Sequence, residues 1–479
     1  MRNYRYFRDV TLFGIDIYCR CCTGVEKHLD FAEVYYRQRF ERGTLSSVAL
    51  ESRTLGSLSS FLKILELDAK RRTETIHIKT VATTPGSPRM TRFSQLGRNR
   101  ENIEMKLEPF VLERYFAKHE FSAKYLLSSS DCEAFSMQEL LESADARSVR
   151  LWENLKLGYT DSSGHPVLRE SIADIYDSVA ADDILVVTPE EGIFLAMQAL
   201  LRPGDHVVCT FPGYQSLYEL ARSMGCNVSL WKPDEDRGWY FSLRQLENLI
   251  RDDTKMVIVN FPHNPTGYVP THAGYTSLVD IVRQSGAYLF SDEMYRFLEL
   301  DRETTLPAGC DVYRKAVSLS GLSKTFGLPG LRIGWVATRD HDILEQMRLL
   351  RDYTTICSSA PSEILGLIAV RDRENIISKQ MARIRRNIKI LDDFFSKYSD
   401  CMCWNRPLGG SICFPRMSTT DDTSEFCEAL IRETGIMLVP SRIFQYGNHH
   451  VRIGFGRENF PEIIERFSAY LDSCRRNQS

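Results

Sequence analysis

Six short apolar runs rich in β-branched residues recur between residues 184 and 338, and a stretch of helical period separates most of them. The runs are ILVVTP (184–189), HVVCTF (206–211), MVIVNF (256–261), AYLFSD (287–292), KAVSLS (315–320) and IGWVAT (333–338). Between them, 191–201, 213–224 and 273–284 carry apolar residues at helical spacing. A strand that is apolar along its whole length is buried on both faces. Such strands alternating with helices predict an α/β fold, a mostly parallel sheet with helices on both sides. Sheets of this type build their sites at the carboxyl ends of the strands.

After about residue 345 the pattern changes to long charged helical stretches, 342–353 and 362–399, then short strands near 410–415 and 450–455. This predicts a second, smaller domain, which suits a chain of 479 residues. The first hundred residues are different again. They hold 18 Lys and Arg against 10 Asp and Glu, in a chain whose net charge is −3. Residues 83–100 (TTPGSPRMTRFSQLGRNR) read as a flexible linker, and 58–69 (LSSFLKILELDA) as a short amphipathic helix. Residues 1–104 are expected to be a basic, poorly ordered extension, with a targeting or binding segment as the alternative.

The charge balance gives no reason to expect a nucleic-acid partner. No run of 18 apolar residues predicts a membrane span. Arg2, Arg5, Arg8, Asp9 and Asp16 interrupt any signal-peptide core. Thirteen cysteines without a repeated CxxC pair fit reduced thiols in a cytoplasmic protein, with no metal site.

Three segments at predicted strand ends carry chemistry. In SGLSKTFGLPGLRIGW (320–335), Lys324 follows a strand among small residues. A lysine amine condenses with an aldehyde cofactor, and small neighbours let a flat ring approach the backbone. Ser323 and Arg332 offer a hydroxyl and a guanidinium to a phosphate dianion. Taken alone, the segment also reads as a solvated turn. In NFPHNPTG (260–267), Asn264 can donate an amide hydrogen bond to a phenolic oxygen; a plain turn is the alternative. In SDEMY (291–295), Asp292 at a buried strand end needs a positive partner, such as a pyridinium nitrogen, or serves as a helix cap. Tyr295 lies on the same turn.

Taken in order, these segments resemble the class I/II aminotransferases, fold-type I enzymes that depend on pyridoxal 5'-phosphate (PLP). The likeness runs over roughly residues 105–470. It implies an aspartate aminotransferase-like fold, with a mostly parallel, seven-stranded-type sheet in a large domain (150–345). A smaller α+β domain would be built from 105–149 and 346–479. It implies that Lys324 holds PLP as a Schiff base and moves the proton at the substrate's Cα. Asp292 would pair with the ring nitrogen, and Asn264 and Tyr295 with the ring phenolate. Ser323, Arg332 and the backbone at Glu190 and Glu191 would take the phosphate. Tyr214, in FPGYQSLY, would stack on the ring. Tyr159, in LGYTDSSGHPVLRE, would reach the phosphate of a neighbouring subunit, which implies a homodimer with shared sites. Arg452, in HHVRIGFG, would clamp the substrate's α-carboxylate, with Asn264 beside it. The implied activity is transfer of an amino group from an L-amino acid to a 2-oxo acid.

Two departures from the family pattern stand out. The phosphate turn reads Thr188-Pro-Glu-Glu-Gly-Ile193, where Pro189 has no N–H to give. Gly321 stands where many members carry serine. The wording of both segments is similar to a branch that includes capreomycidine synthase, a cyclising β-replacement enzyme. A PLP-dependent lyase or cyclase is therefore the alternative. A catalytically silent regulator would need a DNA-binding helix pair, which residues 1–100 do not show. For the substrate's side chain, the positions suggest Ser128 to Glu133 and the region of Tyr115. Arg442 either meets an acidic substrate or faces solvent.

Overall fold

All six predicted strands form, and they lie in one sheet of seven. The strands are β1 (Ile184–Val187), β2 (His206–Thr210), β3 (Asn227–Trp231), β4 (Thr254–Asn260), β5 (Tyr288–Asp292), β6 (Ala316–Gly321) and β7 (Gly334–Ala337). Their order across the sheet is β1-β7-β6-β5-β4-β2-β3. The β2–β3, β2–β4, β4–β5 and β5–β6 pairs are parallel; β7 runs antiparallel to both β1 and β6. The link from β6 to β7 contains only the single turn Pro329–Leu331. Without a crossover helix the chain returns antiparallel. Strand β3 escapes a search for apolar runs because it is an edge strand. Asn227 is exposed, the middle is half-buried, and only Trp231 is buried.

Alternate residues of each central strand feed opposite cores. Leu185 and Val187 of β1 pack with Met256 and Ile258 of β4 on one face. On the other face, Ile184 and Val186 enter one cluster, and Val257 and Val259 another. Both faces are therefore covered, which is why these strands are apolar throughout.

The computed structural model describes residues 107–478 and the backbone of an antiparallel strand pair, Tyr35–Glu41 with Thr44–Glu51. The chain divides into two units, Met1–Glu101 and Asn102–Ser479. The helix expected over 58–69 and the linker expected over 83–100 lie outside the described residues. Among the described residues, no helix is long and apolar enough to cross a membrane.

Downstream of the sheet, the stretch 362–399 is two helices, Ala360–Arg371 and Arg373–Lys397, not one. The chain breaks at Asp372, whose ψ of 16° leaves the helical range. The second helix buries Ile377, Met381, Ile384, Ile388, Leu391 and Phe395, an amphipathic stripe facing one core. That core also receives Val451 and Ile453 of the short strand Val451–Gly454, which pairs with Ile412–Cys413 and Val439–Pro440. Tyr125–Leu126 adds a parallel pair with Ile436–Met437, joining the start of the described unit to its end.

The segment 128–132 runs against this short strand at backbone distance. A Cβ built on Gly454 would come within 1.7 Å of the Ser129 carbonyl oxygen. Gly454→Ala must therefore push strand and loop apart. The expected cost is about 3 kcal/mol, the upper end for overpacking. Urea unfolding of the variant against the parent checks it.

Candidate active site

The parallel strands deliver their carboxyl ends to one edge of the sheet, and the register decides who meets there. Asn260, the last residue of β4, lies opposite Asp292, the last of β5; Gly321, the last of β6, lies opposite Gly334. Asn260 then holds the next turn. Its Nδ2 donates to the Asp292 carbonyl at 3.1 Å, and its Oδ1 accepts the Asn264 N–H at 2.8 Å. Asn264 is thereby fixed beside Asp292, with its own Oδ1 buried and without a partner.

Asp292 is 5% exposed. Its carboxylate accepts the Met294 N–H at 3.1 Å, so it caps its own turn as well as facing the site. Burial pushes its carboxyl up to about 7, with the neighbouring Glu293 adding to the effect and Lys324 opposing it. Tyr295, on the same turn, is 2% exposed and its hydroxyl has no partner of good geometry. Burial raises the phenol; the Arg452 guanidinium and the Ser130 hydroxyl beside it act the other way.

Lys324 follows β6 and is half-buried. Its Nζ donates to Ser130 Oγ at 2.8 Å. Burial lowers its ammonium, while Asp131 holds it up and Arg452 lowers it further. Depressing a lysine in this way favours the neutral amine that attacks carbonyl groups. Arg452 comes from the strand Val451–Gly454 and is 1% exposed. Its Nη2 donates to the Ser128 carbonyl at 2.9 Å, its Nε is buried and unpaired, and its guanidinium lies over the rings of Phe116 and Phe444.

The segment Ser128 to Glu133, suggested by position alone, is at the centre of this site. Besides Ser130, it supplies Asp131, whose Oδ2 accepts from Arg457 at 2.8 Å. Tyr115 turns its hydroxyl away to the Leu438 carbonyl at 2.8 Å. Its neighbours on the same helix, Val111–His119, face the site instead: Phe116 under Arg452, and Glu113, whose carboxylate accepts the Tyr214 hydroxyl at 3.3 Å. The start of that helix is clamped by Gln215, which accepts the Val111 N–H at 2.9 Å and donates to the Pro109 carbonyl at 3.0 Å. Glu113 gives no sign in the sequence, since an acidic residue in a first helical turn is ordinary.

The remaining expected residues are more scattered. Ser323 is buried. Glu190 and Glu191 open the helix Pro189–Leu200. Burial raises the Glu190 carboxyl, and the nearby Ser216 and Tyr214 hydroxyls act the other way. The Glu191 carboxylate is held by the hydroxyls of Thr354 and Thr355, the latter at 2.8 Å. Arg332 is exposed, adopts a left-handed φ of 54°, and donates to the Pro329 carbonyl at 3.1 Å. A non-glycine residue in that region marks local strain. Tyr159 is 91% exposed, away from the cluster. Arg442 is exposed and pairs with Asp422 at 3.0 Å.

The arrangement fits PLP. A buried carboxylate with only one backbone donor suits a protonated ring nitrogen. The unpartnered Tyr295 hydroxyl, which can donate, marks a polar ligand at the same edge. In cofactor-free protein the Asp292 charge is a burden on the fold. Its carboxyl titrates near 7 when folded and near 3.8 when free. Stability contributed by the neutral form is thus present at pH 4 and lost as pH rises towards and past 7. Asp292→Asn should make the cofactor-free protein more stable than the parent at pH 8, by about 2–4 kcal/mol, with the gap closing towards pH 4. Thermal unfolding across that range is the check; a gap that does not vary with pH would refute it.

Comparison with known proteins agrees with this geometry. The family model for aminotransferase class I and II matches residues 124–467. Capreomycidine synthase from Streptomyces vinaceus is 32% identical over 76% of this chain and 92% of its own. A PLP-dependent aminotransferase from Streptococcus suis 89-1591 superposes with a TM-score of 0.72 at 32% identity, over 77% of this chain and 98% of its own. The PLP-dependent cyclase OrfR superposes with a TM-score of 0.69 at 29% identity, over 79% of this chain and all of its own. The chain therefore belongs to the aminotransferase class I and II family, with the aspartate aminotransferase-like fold, PLP as its cofactor and amino-group transfer as its reaction class.

Proposed function

We propose that this chain transfers the amino group of an L-amino acid to a 2-oxo acid at the site formed by Lys324, Asp292, Asn264, Tyr295 and Arg452. One observation carries the assignment of roles. A lysine with a depressed ammonium, a buried carboxylate lacking a cation and a buried arginine with an unpaired Nε converge where three segments of the chain meet. When bound, PLP supplies an aldehyde that takes up amines and a ring that draws electrons from the substrate's Cα. Asp292 would pair with the ring nitrogen and keep it protonated. Asn264, through its Nδ2, and Tyr295 would donate to the ring's phenolic oxygen. Arg452 binds the α-carboxylate with two parallel hydrogen bonds and so orients the Cα–H bond. Lys324 takes the Cα proton as general base. Ser130, hydrogen-bonded to Lys324 Nζ, positions that amine. Ser323, the first turn of the helix at Glu190 and Glu191, and Arg332 would hold the phosphate. Tyr214 would stack on the ring.

A homodimer suits the exposed Tyr159, which would then reach the phosphate of a neighbouring subunit. Leu157, Tyr353 and Ile356 are exposed large hydrophobic residues like it, which supports burial by a second copy. Residues 105–149 and 346–479 would form the small domain around 150–345, and the protein would work in the cytoplasm. The likeness to capreomycidine synthase and OrfR favours one alternative, cyclisation or elimination on a single amino acid.

A spectrum of the purified protein, titrated with single L-amino acids and no 2-oxo acid, separates the two. Transfer predicts release of one equivalent of the matching 2-oxo acid per site and then arrest. Continued turnover without an acceptor refutes transfer in favour of the alternative. Lys324→Ala should lose the lysine-bound chromophore with the fold retained; an unchanged spectrum removes the lysine's role. Shared sites predict that inactive Lys324→Ala and Tyr159→Ala proteins regain activity when mixed, because one site of each hybrid dimer is intact. Failure to complement would mean that Tyr159 serves its own subunit.

A further inference from the structure

The turn that carries Asp292 and Tyr295 also carries two carboxylates that the reaction does not use. Glu293 is 4% exposed and Glu299 2%. Each has one oxygen satisfied. Glu293 Oε1 accepts the Gly309 N–H at 2.8 Å and the Ser318 hydroxyl at 2.7 Å; Glu299 Oε2 accepts the Thr305 hydroxyl at 3.1 Å. Their other oxygens, Glu293 Oε2 and Glu299 Oε1, are buried without a partner. Both residues line one cavity of about 10 Å³, together with Tyr275, Ser291 and Arg296.

Arg296 is the cation of that lining; its charge opposes the effect of burial on both glutamates, yet no hydrogen bond from it reaches their inner oxygens. Its Nε donates to the Leu306 carbonyl at 3.4 Å, and its guanidinium lies over the rings of Phe297 and Tyr176. Two buried carboxylates without donors on their inner oxygens are costly as two charges. A proton shared through a water removes one charge and satisfies both oxygens. The cavity is at the lower limit for one water, and it offers the two to four polar partners such a water needs. The other groups that face Glu293 are Tyr275, Tyr176, Cys310 and, on its own strand end, Asp292; of these only Asp292 ionises as an acid near neutrality.

We propose that Glu293, Glu299 and one water between them form an internal acid site that holds a proton at neutral pH directly behind Asp292. Burial, the leading influence on both glutamates, acts in the same direction. The consequence reaches the active site. A charge on Glu293 raises the Asp292 carboxyl. A neutral Glu293 removes that repulsion, so Asp292 keeps its own charge for the ring nitrogen. Glu293 is thus a positioning residue for Asp292. This consequence rests on the role given to Asp292 above; the acid site itself does not.

The test uses infrared spectra of the cofactor-free, full-length protein at pH 7 in D2O. The carbonyl stretch of a protonated carboxylic acid stands apart from that of carboxylates. Asp292, which titrates near the same pH, adds a band of its own; in the Asp292→Asn background a buried-acid band is expected to remain, and Glu293→Gln and Glu299→Gln are each expected to remove or shift it. Both substitutions are isosteric, and either one alone decides the matter if the other fails to fold. An Asp292→Asn protein without such a band, or a band untouched by a folded variant of either residue, overturns the proposal. Because cofactor is absent, a failed Lys324 chromophore would strike the functional reading and leave this result standing.

Discussion

Asp292 is a carboxylate at the end of a central strand, buried and given one backbone donor. A fold tolerates such a group only if a positive partner arrives or the proton stays on. That constraint organises the surrounding edge of the sheet. The parallel register sets Asn260 opposite it, and Asn260 in turn fixes Asn264. The turn that Asp292 caps brings Tyr295 within reach, and the next strand places Lys324. The same burial that strains Asp292 depresses Lys324. One low-dielectric pocket therefore disfavours both charges at once, and a ligand that is cationic at one end and reactive towards amines at the other relieves both.

The large sheet was legible in the sequence because its central strands are buried on both faces, which leaves an unbroken apolar signature. The edge strand Asn227–Trp231 lacks that signature because only its last residue is buried. The antiparallel sense of Gly334–Ala337 has no local signature either, since it follows from the missing helix before it. The break at Asp372 was hidden because both flanking segments keep helical spacing.

The site divides in the same way. Lys324, Asp292, Asn264 and Tyr295 sit at strand ends, where sequence order and spatial order coincide. The partners that tune them come from far along the chain. Ser130 meets Lys324 across 194 residues, and Ser128 meets Arg452 across 324. Glu113 meets Tyr214 across 101. No local pattern encodes such pairs; they depend on the loop at 128–133 passing within contact of Gly454 and Gly456, where a side chain would collide with the loop backbone.

The two departures at the phosphate turn become one feature in three dimensions. Gly321 and Gly334 face each other across the β6–β7 pair, and the ring of Pro189 packs over both. A Cβ at 321 would lie 3.0 Å from Gly334 Cα and 3.1 Å from Pro189 Cγ; one at 334 would lie 2.8 Å from Pro189 Cγ. The proline thus crowds the space that a side chain at 321 would enter. A side chain at 321 would meet Pro189 more tightly than ordinary contact, so the two departures are coupled in space. Pro at the first helical position also presets the helix that follows. What the turn lacks in side-chain donors it keeps as an oriented helix start, whose N–H groups at Glu190 and Glu191 remain available to an anion.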